Sequence, residues 1–321
     1  MKLNPATAGP AGVTLDRRRP RYGRRQRKRF MWAYLFVLPQ FVFFIAFTIY
    51  PIVMSYVYSL FNWSGIGPLK RFVGWDNYVR VLQDERFWNA FQNTFIYVAG
   101  TTVILLPTTL LMAVVLNRGL QKGKVLYRVI YFLPVITTTA IVGLIMRSIF
   151  GNKNALFNEL LMAIGLLDAP YPWLTRASSA MVIVILVGAW KFFGMMMVYW
   201  LAGLQSLPSD VYEAASIDGC GPVQSFRYIT VPLLLPIGAV ILLLSVVSGL
   251  HVFDLVKTLT EGGPYYGTDV MDLYIYRYAF DSGGPPAFGF ASAAGIVFGL
   301  SILAITLIIG GLIRMTKSIS G

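Results

Sequence analysis

Long apolar stretches alternate with short, polar, turn-rich ones along the chain. The apolar stretches fall at about residues 31–61, 88–116, 125–150, 179–204, 231–255 and 288–313. Each exceeds the roughly 18 residues that a helix needs to cross a bilayer. A helix also satisfies its backbone N–H and C=O groups internally, as lipid demands. The pattern predicts an all-α membrane protein with six transmembrane helices. Pro39, Pro51, Pro107, Pro134 and Pro236 fall inside these stretches. Each frees a carbonyl, so kinks are expected; ordinary membrane-helix usage and a gating role both account for them. The sixth stretch carries Gly289, Ala291, Ala293, Ala294, Gly295 and Gly299, small residues that let helices approach closely.

One polar segment, 207–236, separates the fourth and fifth stretches and reads as a short helix held outside the membrane. Pro208 suits a first helical position, and Ser209 and Asp210 bring acceptors and negative charge to the positive end of the helix. Gly219 and Gly221 end it. The roughly ten residues between these signals make a helix only about 15 Å long, marginal unless something docks against it. The segment therefore reads as a plug for a partner.

Composition agrees with the pattern: 56% of the 321 residues are hydrophobic and 13% charged, with a mean hydropathy of +0.65. The one cysteine, Cys220, rules out an intrachain disulfide, and with one histidine, His251, there is little to build a protein-only zinc site. The net charge of +13 raises nucleic acid as a partner, but its distribution points to membrane topology. Ten basic residues precede Phe30 and abut the first apolar stretch, as expected of a cytoplasmic flank. That stretch is too long for a signal peptide and lacks a small-residue cleavage site, so it is expected to remain as a span. The chain divides into a basic cytoplasmic tail, 1–29, and a transmembrane domain, 30–321. With Arg118, Lys122, Lys124, Arg128, Arg227, Arg314 and Lys317, the N-terminal side holds seventeen basic residues, and the opposite side holds nine. Both termini and the 207–236 segment are thereby expected in the cytoplasm. The long outer loops, rich in Gly, Pro, Trp and Tyr, form a candidate landing surface.

Several chemistries are absent. No GxxxxGK[ST] phosphate loop is present, nor GxSxG or HExxH, and no paired carboxylates share a span. Proton-coupled transport normally needs ionisable groups inside the bundle, and the spans carry few. Lys191 is the exception. At mid-span a charge costs about 2.5–3.5 kcal/mol on insertion scales, so it should face the bundle interior or a wet cavity. Trp190, Phe192 and Met195 flank it, and aromatic faces beside hydrogen-bonding groups suit sugar rings. Ser245, Ser248 and His251 recur every three residues, one helical stripe, with Asp254 a step further out. A purely structural reading has Ser248 bonding its own helix, His251 making an interhelical contact, and Lys191 pairing with Asp254 or a carbonyl. Beyond the fifth stretch, Gly262, Gly263 and Pro264 make a turn. Tyr265, Tyr266, Tyr274, Tyr276 and Tyr278 nearby suit either an interfacial aromatic belt or a docking surface.

EAASIDG at 213–219, followed after nine residues by Ile229, Val231 and Pro232, resembles the EAA loop of ATP-binding-cassette importer permeases. LPQFVFFIAFTIYPIVMSYVYSLFNW from Leu38, FVGWDNY from Phe72 and TEGGPYYGTDVMDLYIYRYAF from Thr260 resemble the carbohydrate-uptake branch, in particular the first permease subunit of the maltose and glycerol-3-phosphate type. The resemblance implies a permease domain with a cytoplasmic EAA coupling helix in segment 207–232, contacting an ATPase through Glu213, Ala214, Ala215, Asp218 and Gly219. It implies a second homologous permease subunit, two ATPase subunits and an extracytoplasmic solute-binding protein. It also implies a multi-pass place among the lipids of a bacterial or archaeal plasma membrane, and no nucleic acid. No cofactor is expected in this chain; ATP and Mg belong to the partner ATPases. Because maltose-type permeases contact substrate from the fourth and fifth helices, Lys191, Met195, Ser245, Ser248 and His251 become substrate-path candidates, although Gly249 and Val252 depart from the asparagine-rich stripe found there. The implied activity is import of a sugar or sugar-like solute by alternating access. An ion-coupled secondary transporter and a membrane enzyme or scaffold without transport remain the alternatives.

Overall fold

The computed structural model describes residues 24–118, 124–151, 155–281 and 283–319. Most of the basic tail and Lys122 of the second loop lie outside them. The helices are α1 (Arg24–Phe44), α2 (Tyr50–Ser59), α3 (Asp76–Gln83), α4 (Glu85–Arg118), α5 (Lys124–Ile136), α6 (Thr139–Phe150), α7 (Leu156–Ala163), α8 (Ala177–Gln205), α9 (Ser209–Ile217), α10 (Pro222–Ser225), α11 (Val231–Gly249), α12 (Phe253–Leu259), α13 (Met271–Phe280) and α14 (Phe288–Ile319). Among the described residues, five uninterrupted helical segments are long and apolar enough to cross a membrane: Lys28–Ser59, Glu85–Asn117, Ala177–Gln205, Pro222–Gly249 and Phe288–Gly311. A bent pair, Val129–Ile136 with Thr139–Phe150, passes the same test jointly and brings the number to six if its halves are one span.

The first of two compact units ends at Met54. In it α1 passes through a π-helical turn, Ile45–Ile49, into α2. The same device precedes α11, where Phe226–Thr230 is π-helical. Each turn ends two residues before a proline, Pro51 or Pro232, and the N–H of the intervening residue, Tyr50 or Val231, bonds five residues back. A proline lacks an N–H and its ring crowds the carbonyl four residues earlier, so the widened turn accommodates it without ending the helix.

The second unit, from Ser55 onward, holds two apolar cores. One gathers Leu105, Ala113 and Leu116 of α4, Met196, Met197, Trp200 and Leu201 of α8, and Leu234 and Ile241 of α11. The other joins the opening turns of α4 and α8 to the 250–274 region through Phe87, Tyr97, Val184, Leu255, Met271 and Tyr274. α4 and α8 run through both and form the spine.

Two expectations are corrected. The third span is two helices, α5 and α6, meeting at 102° across residues 137–138. Pro134 removes an N–H near the end of α5 and Thr138 is extended (ψ 140°), so the helical ladder stops there. The fifth span begins earlier than expected, at Pro222, and ends at Gly249.

Candidate functional site

The predicted plug is present as α9. Pro208 is its N-cap, one residue before the expected position (φ −63°, ψ 131°), and Ser209 begins the helix. At its other end Gly219 adopts φ +77°. The N–H of Gly219 bonds the Ser216 carbonyl (3.2 Å), and that of Cys220 bonds the Ala215 carbonyl (2.9 Å). This paired closure needs a left-handed residue, which glycine supplies. Gly221 caps α10 instead of ending α9, with its N–H on Gln224 Oε1 at 3.0 Å. None of the nine residues of α9 is buried. Glu213, Ala214 and Asp218 are exposed, Ala215 is half-buried, and Ile217 is 85% exposed. The Tyr212 hydroxyl lies 3.0 Å from Thr230 Oγ1 at the π-helical turn, which joins α9 to the root of α11. The helix thus presents small side chains, two exposed carboxylates from Asp210 and Glu213, and an apolar tip while tied to a membrane span.

Lys191, in the middle of α8, is 3% exposed. Its ammonium donates to the carbonyls of Pro134 (2.7 Å), Val135 (3.1 Å) and Thr137 (2.5 Å) at the α5–α6 break. An ammonium has three N–H groups, so these bonds use all of them. Its candidate pairing with Asp254 is not made; the carbonyl partner is the one adopted. Met195, four residues on, packs into the α4–α8–α11 core.

The Ser245–Ser248–His251 stripe breaks, because α11 ends at Gly249 and His251 lies in the connection to α12. Ser245 is buried, with its hydroxyl 3.1 Å from that of Thr102. Ser245 and the exposed Ser248 border a small crevice with Tyr97, Thr101, Phe192 and Met196. His251 faces a neighbouring cavity of about 210 Å³ with Thr139, Phe192, Phe253, Asp254 and Asp272. Phe192 borders both. His251 Nδ1 approaches Asp272 Oδ2 at 3.6 Å. Burial raises the Asp272 carboxyl above its ordinary pKa, and the adjacent His251 offsets part of that rise. The structure therefore groups Ser245 with Ser248, places His251 beyond Phe192, and sends Lys191 and Met195 elsewhere. Tyr97, Thr101, Met196 and Asp272 were not singled out as path residues, and Phe192 was noted only as an aromatic beside Lys191. The signal available for Tyr97 and Thr101 was their four-residue spacing in an apolar span; Asp272 is distant in sequence and offered none.

At the far end of α11 the 250–287 region closes on the start of α4. Asp84 Oδ2 accepts hydrogen bonds from the hydroxyls of Tyr274 (2.6 Å) and Tyr278 (3.0 Å). Asn89 and Asn93 both donate to the Tyr266 carbonyl (2.7 and 3.1 Å). The Arg86 and Arg277 guanidinium groups lie 4.6 and 5.0 Å from the Tyr266 ring centre. Arg147 bonds Glu261 at 2.6 Å and holds that carboxyl below its usual range. Asp269, 2% exposed and 3.4 Å from Arg277, is pushed up to about 6 by burial despite the opposing pull of Arg277 and Arg86. Tyr265, at φ +49°, is 98% exposed beside this network.

Residues 105–316 match the family described as the binding-protein-dependent transport system inner membrane component. The chain belongs to that family. It is a multi-pass membrane permease subunit of an ATP-binding-cassette import system and not itself an enzyme. Relatives include the probable ABC transporter permease protein YurN of Bacillus subtilis, 34% identical over 85% of this chain and 93% of the relative. The lactose transport system permease protein LacF of Rhizobium radiobacter is 33% identical over 85% of this chain and 91% of its own length. The trehalose/maltose permease protein MalF of Thermococcus litoralis is 34% identical over 86% and 91%. Among solved structures, a bacterial ABC transporter importing the acidic polysaccharide alginate matches with a TM-score of 0.79 and 26% identity, covering 91% of this chain and 98% of the other. The same kind of transporter in complex with a periplasmic protein carrying an alginate pentasaccharide matches with a TM-score of 0.80.

Proposed function

We propose that the chain forms one half of the pore of an importer for a carbohydrate or related solute. A second homologous permease forms the other half, two ATPase subunits bind ATP and Mg, and a solute-binding protein delivers the cargo. The observation that carries this reading is α9: a short helix, closed at Gly219, that buries none of its residues and is joined through Tyr212 and Thr230 to the π-helical turn at the root of α11. A helix this short gains little from its own propensity, so its definition fits a role completed by a partner. In the proposed arrangement Glu213 meets a basic groove on the ATPase, Ala214 and Ala215 let its backbone come close, and Asp218 and Gly219 shape the exit. Sugar permeases among the relatives support the solute class.

The α9 end is assigned to the cytoplasm with both termini, and the 250–287 end to the outer face, where the binding protein docks. The proposed solute path runs past Ser245, Ser248 and His251 with Phe192 between them; Lys191 and Met195 support it from behind. ATP-driven motion of the docked helix would shift the pore between outward and inward states through their different affinities for the partners. Co-expression of the complete importer tests this. Glu213→Lys should insert normally yet carry less ATPase through purification, with reduced uptake; unchanged co-purification and uptake would overturn the docking role. Wild-type values for both uptake and ligand-stimulated ATPase in His251→Ala would remove His251 from the path.

A further inference from the structure

A broken helix within a membrane creates an electrostatic problem. The last carbonyls of α5 have no N–H partner one turn ahead, and the macrodipole of α5 adds negative potential at the same place. Neither half-helix can turn away, because each is locked to a different neighbour. Gly194 of α8 sits so close to α5 that an added Cβ would run into the Tyr131 carbonyl, and Gly143 of α6 similarly abuts the Thr258 hydroxyl of α12. In membrane proteins, unwound carbonyls and half-helix C-termini of this kind coordinate monovalent cations.

We propose that the α5–α6 break is a carbonyl cation site permanently filled by the tethered ammonium of Lys191, which positions the joint of the third span. The 2.5–3.1 Å contacts to Pro134, Val135 and Thr137 give the ammonium the environment a partly dehydrated cation would take. It is 3% exposed, and all three of its donors are engaged, so its role toward solute is indirect. With the charge covalently attached, the joint keeps its shape whatever the ionic composition on either side. Occupancy by a mobile ion, the basis of ion-coupled transport, is thereby excluded at this place. Lys191 is a positioning residue: it holds α5 and α6 at their mutual angle so that motion of the α12 layer reaches the α8 spine.

The experiment compares wild type, Lys191→Ala and Lys191→Met in the fully assembled importer, and its activity readout rests on the function proposed above. Ligand-stimulated ATPase is measured against added methylammonium, K⁺ and Na⁺. Wild type should be indifferent to all three beyond a general ionic-strength effect. Lys191→Ala should lose about tenfold or more of the stimulated rate and recover it saturably with methylammonium. Lys191→Met, whose side chain fills the space without a charge, should lose activity and not recover. If Lys191→Ala fails to assemble, assembly restored by methylammonium during extraction is the expected result. Wild-type activity in Lys191→Met, or no methylammonium recovery of Lys191→Ala in rate or assembly, overturns the proposal. A wild-type importer without ligand-stimulated ATPase would overturn the functional reading instead, so the two failures are distinguishable.

Discussion

The two ends of α11 are built on opposite principles. At its root, α9 leaves its side chains uncovered and is tied to the span by Tyr212 and Thr230. At its far end, the 250–287 region is fastened to the start of α4 by Asp84, Asn89 and Asn93 and by the arginines around Tyr266. One surface is left open, to be completed by the ATPase if the proposed docking holds; the other completes itself. A transporter driven by ATPases on one face and supplied with solute on the other has use for both. Under the proposed orientation the α9 face moves with its motor, whereas the fastened 250–287 face holds Tyr265 out for the solute-binding protein.

The largest effect that separates the ends is expected at Glu213. Reversing its charge should weaken ATPase association about tenfold to a hundredfold, while the thermal stability of the isolated permease stays at the wild-type value. An equal loss of stability would make α9 part of the self-supporting fold and remove the contrast. At the far end the order inverts. Asp84→Ala leaves the Tyr274 and Tyr278 hydroxyls without their charged acceptor and should cost about 2–3 kcal/mol in thermal or denaturant unfolding, with ATPase association retained.

The Asp269 carboxyl sharpens the same point through pH. Its folded-state pKa of about 6 lies above the ordinary value of 3.8, so the folded chain holds this proton where the unfolded chain has released it. Its contribution to stability is fully present below the ordinary value and is lost as pH rises through 6. The difference between wild type and Asp269→Asn in unfolding free energy should therefore change by about 1 kcal/mol from pH 5 to pH 7, with wild type relatively more stable at pH 5. A pH-independent difference would show that the carboxyl is not buried as described. The smallest effect belongs to Tyr212→Phe. Loss of the hydrogen bond to Thr230 should cost about 0.5–1.5 kcal/mol and appear as faster amide exchange confined to α9 and the 226–230 turn.

Features set by neighbours in sequence were legible before the structure. The crossings followed from hydropathy. The end of α9 followed from Gly219, because that closure is decided within a turn; at its start Pro208 takes the N-cap position, no side chain caps the helix, and the Ser209 hydroxyl turns to Asp210 instead. Features set by distant partners were not legible. Pro134 announced a disturbance, but the 102° bend depends on α5 docking at Gly194 and α6 docking at Gly143. Lys191 was recognisable as an anomaly, while its carbonyl partners lie more than fifty residues away. The stripe through Ser245, Ser248 and His251 assumed a helix that continues, and α11 stops at Gly249, where Val98 of α4 closes against it. Phe192 stood out in sequence only beside Lys191; it and Asp272 reach the His251 cavity because α8, α12 and α13 converge there.

The most direct measurement places one cysteine at a time in a Cys220→Ser background of the complete importer, at Ile217→Cys on the tip of α9 or at Tyr265→Cys at the far end, and identifies what a short cross-linker captures. Ile217→Cys should capture the ATPase subunit and Tyr265→Cys the solute-binding protein. Capture of the ATPase from Tyr265→Cys, or its absence from Ile217→Cys in a complex that hydrolyses ATP and imports solute, would contradict the assignment of α9 as the helix through which ATP drives the pore.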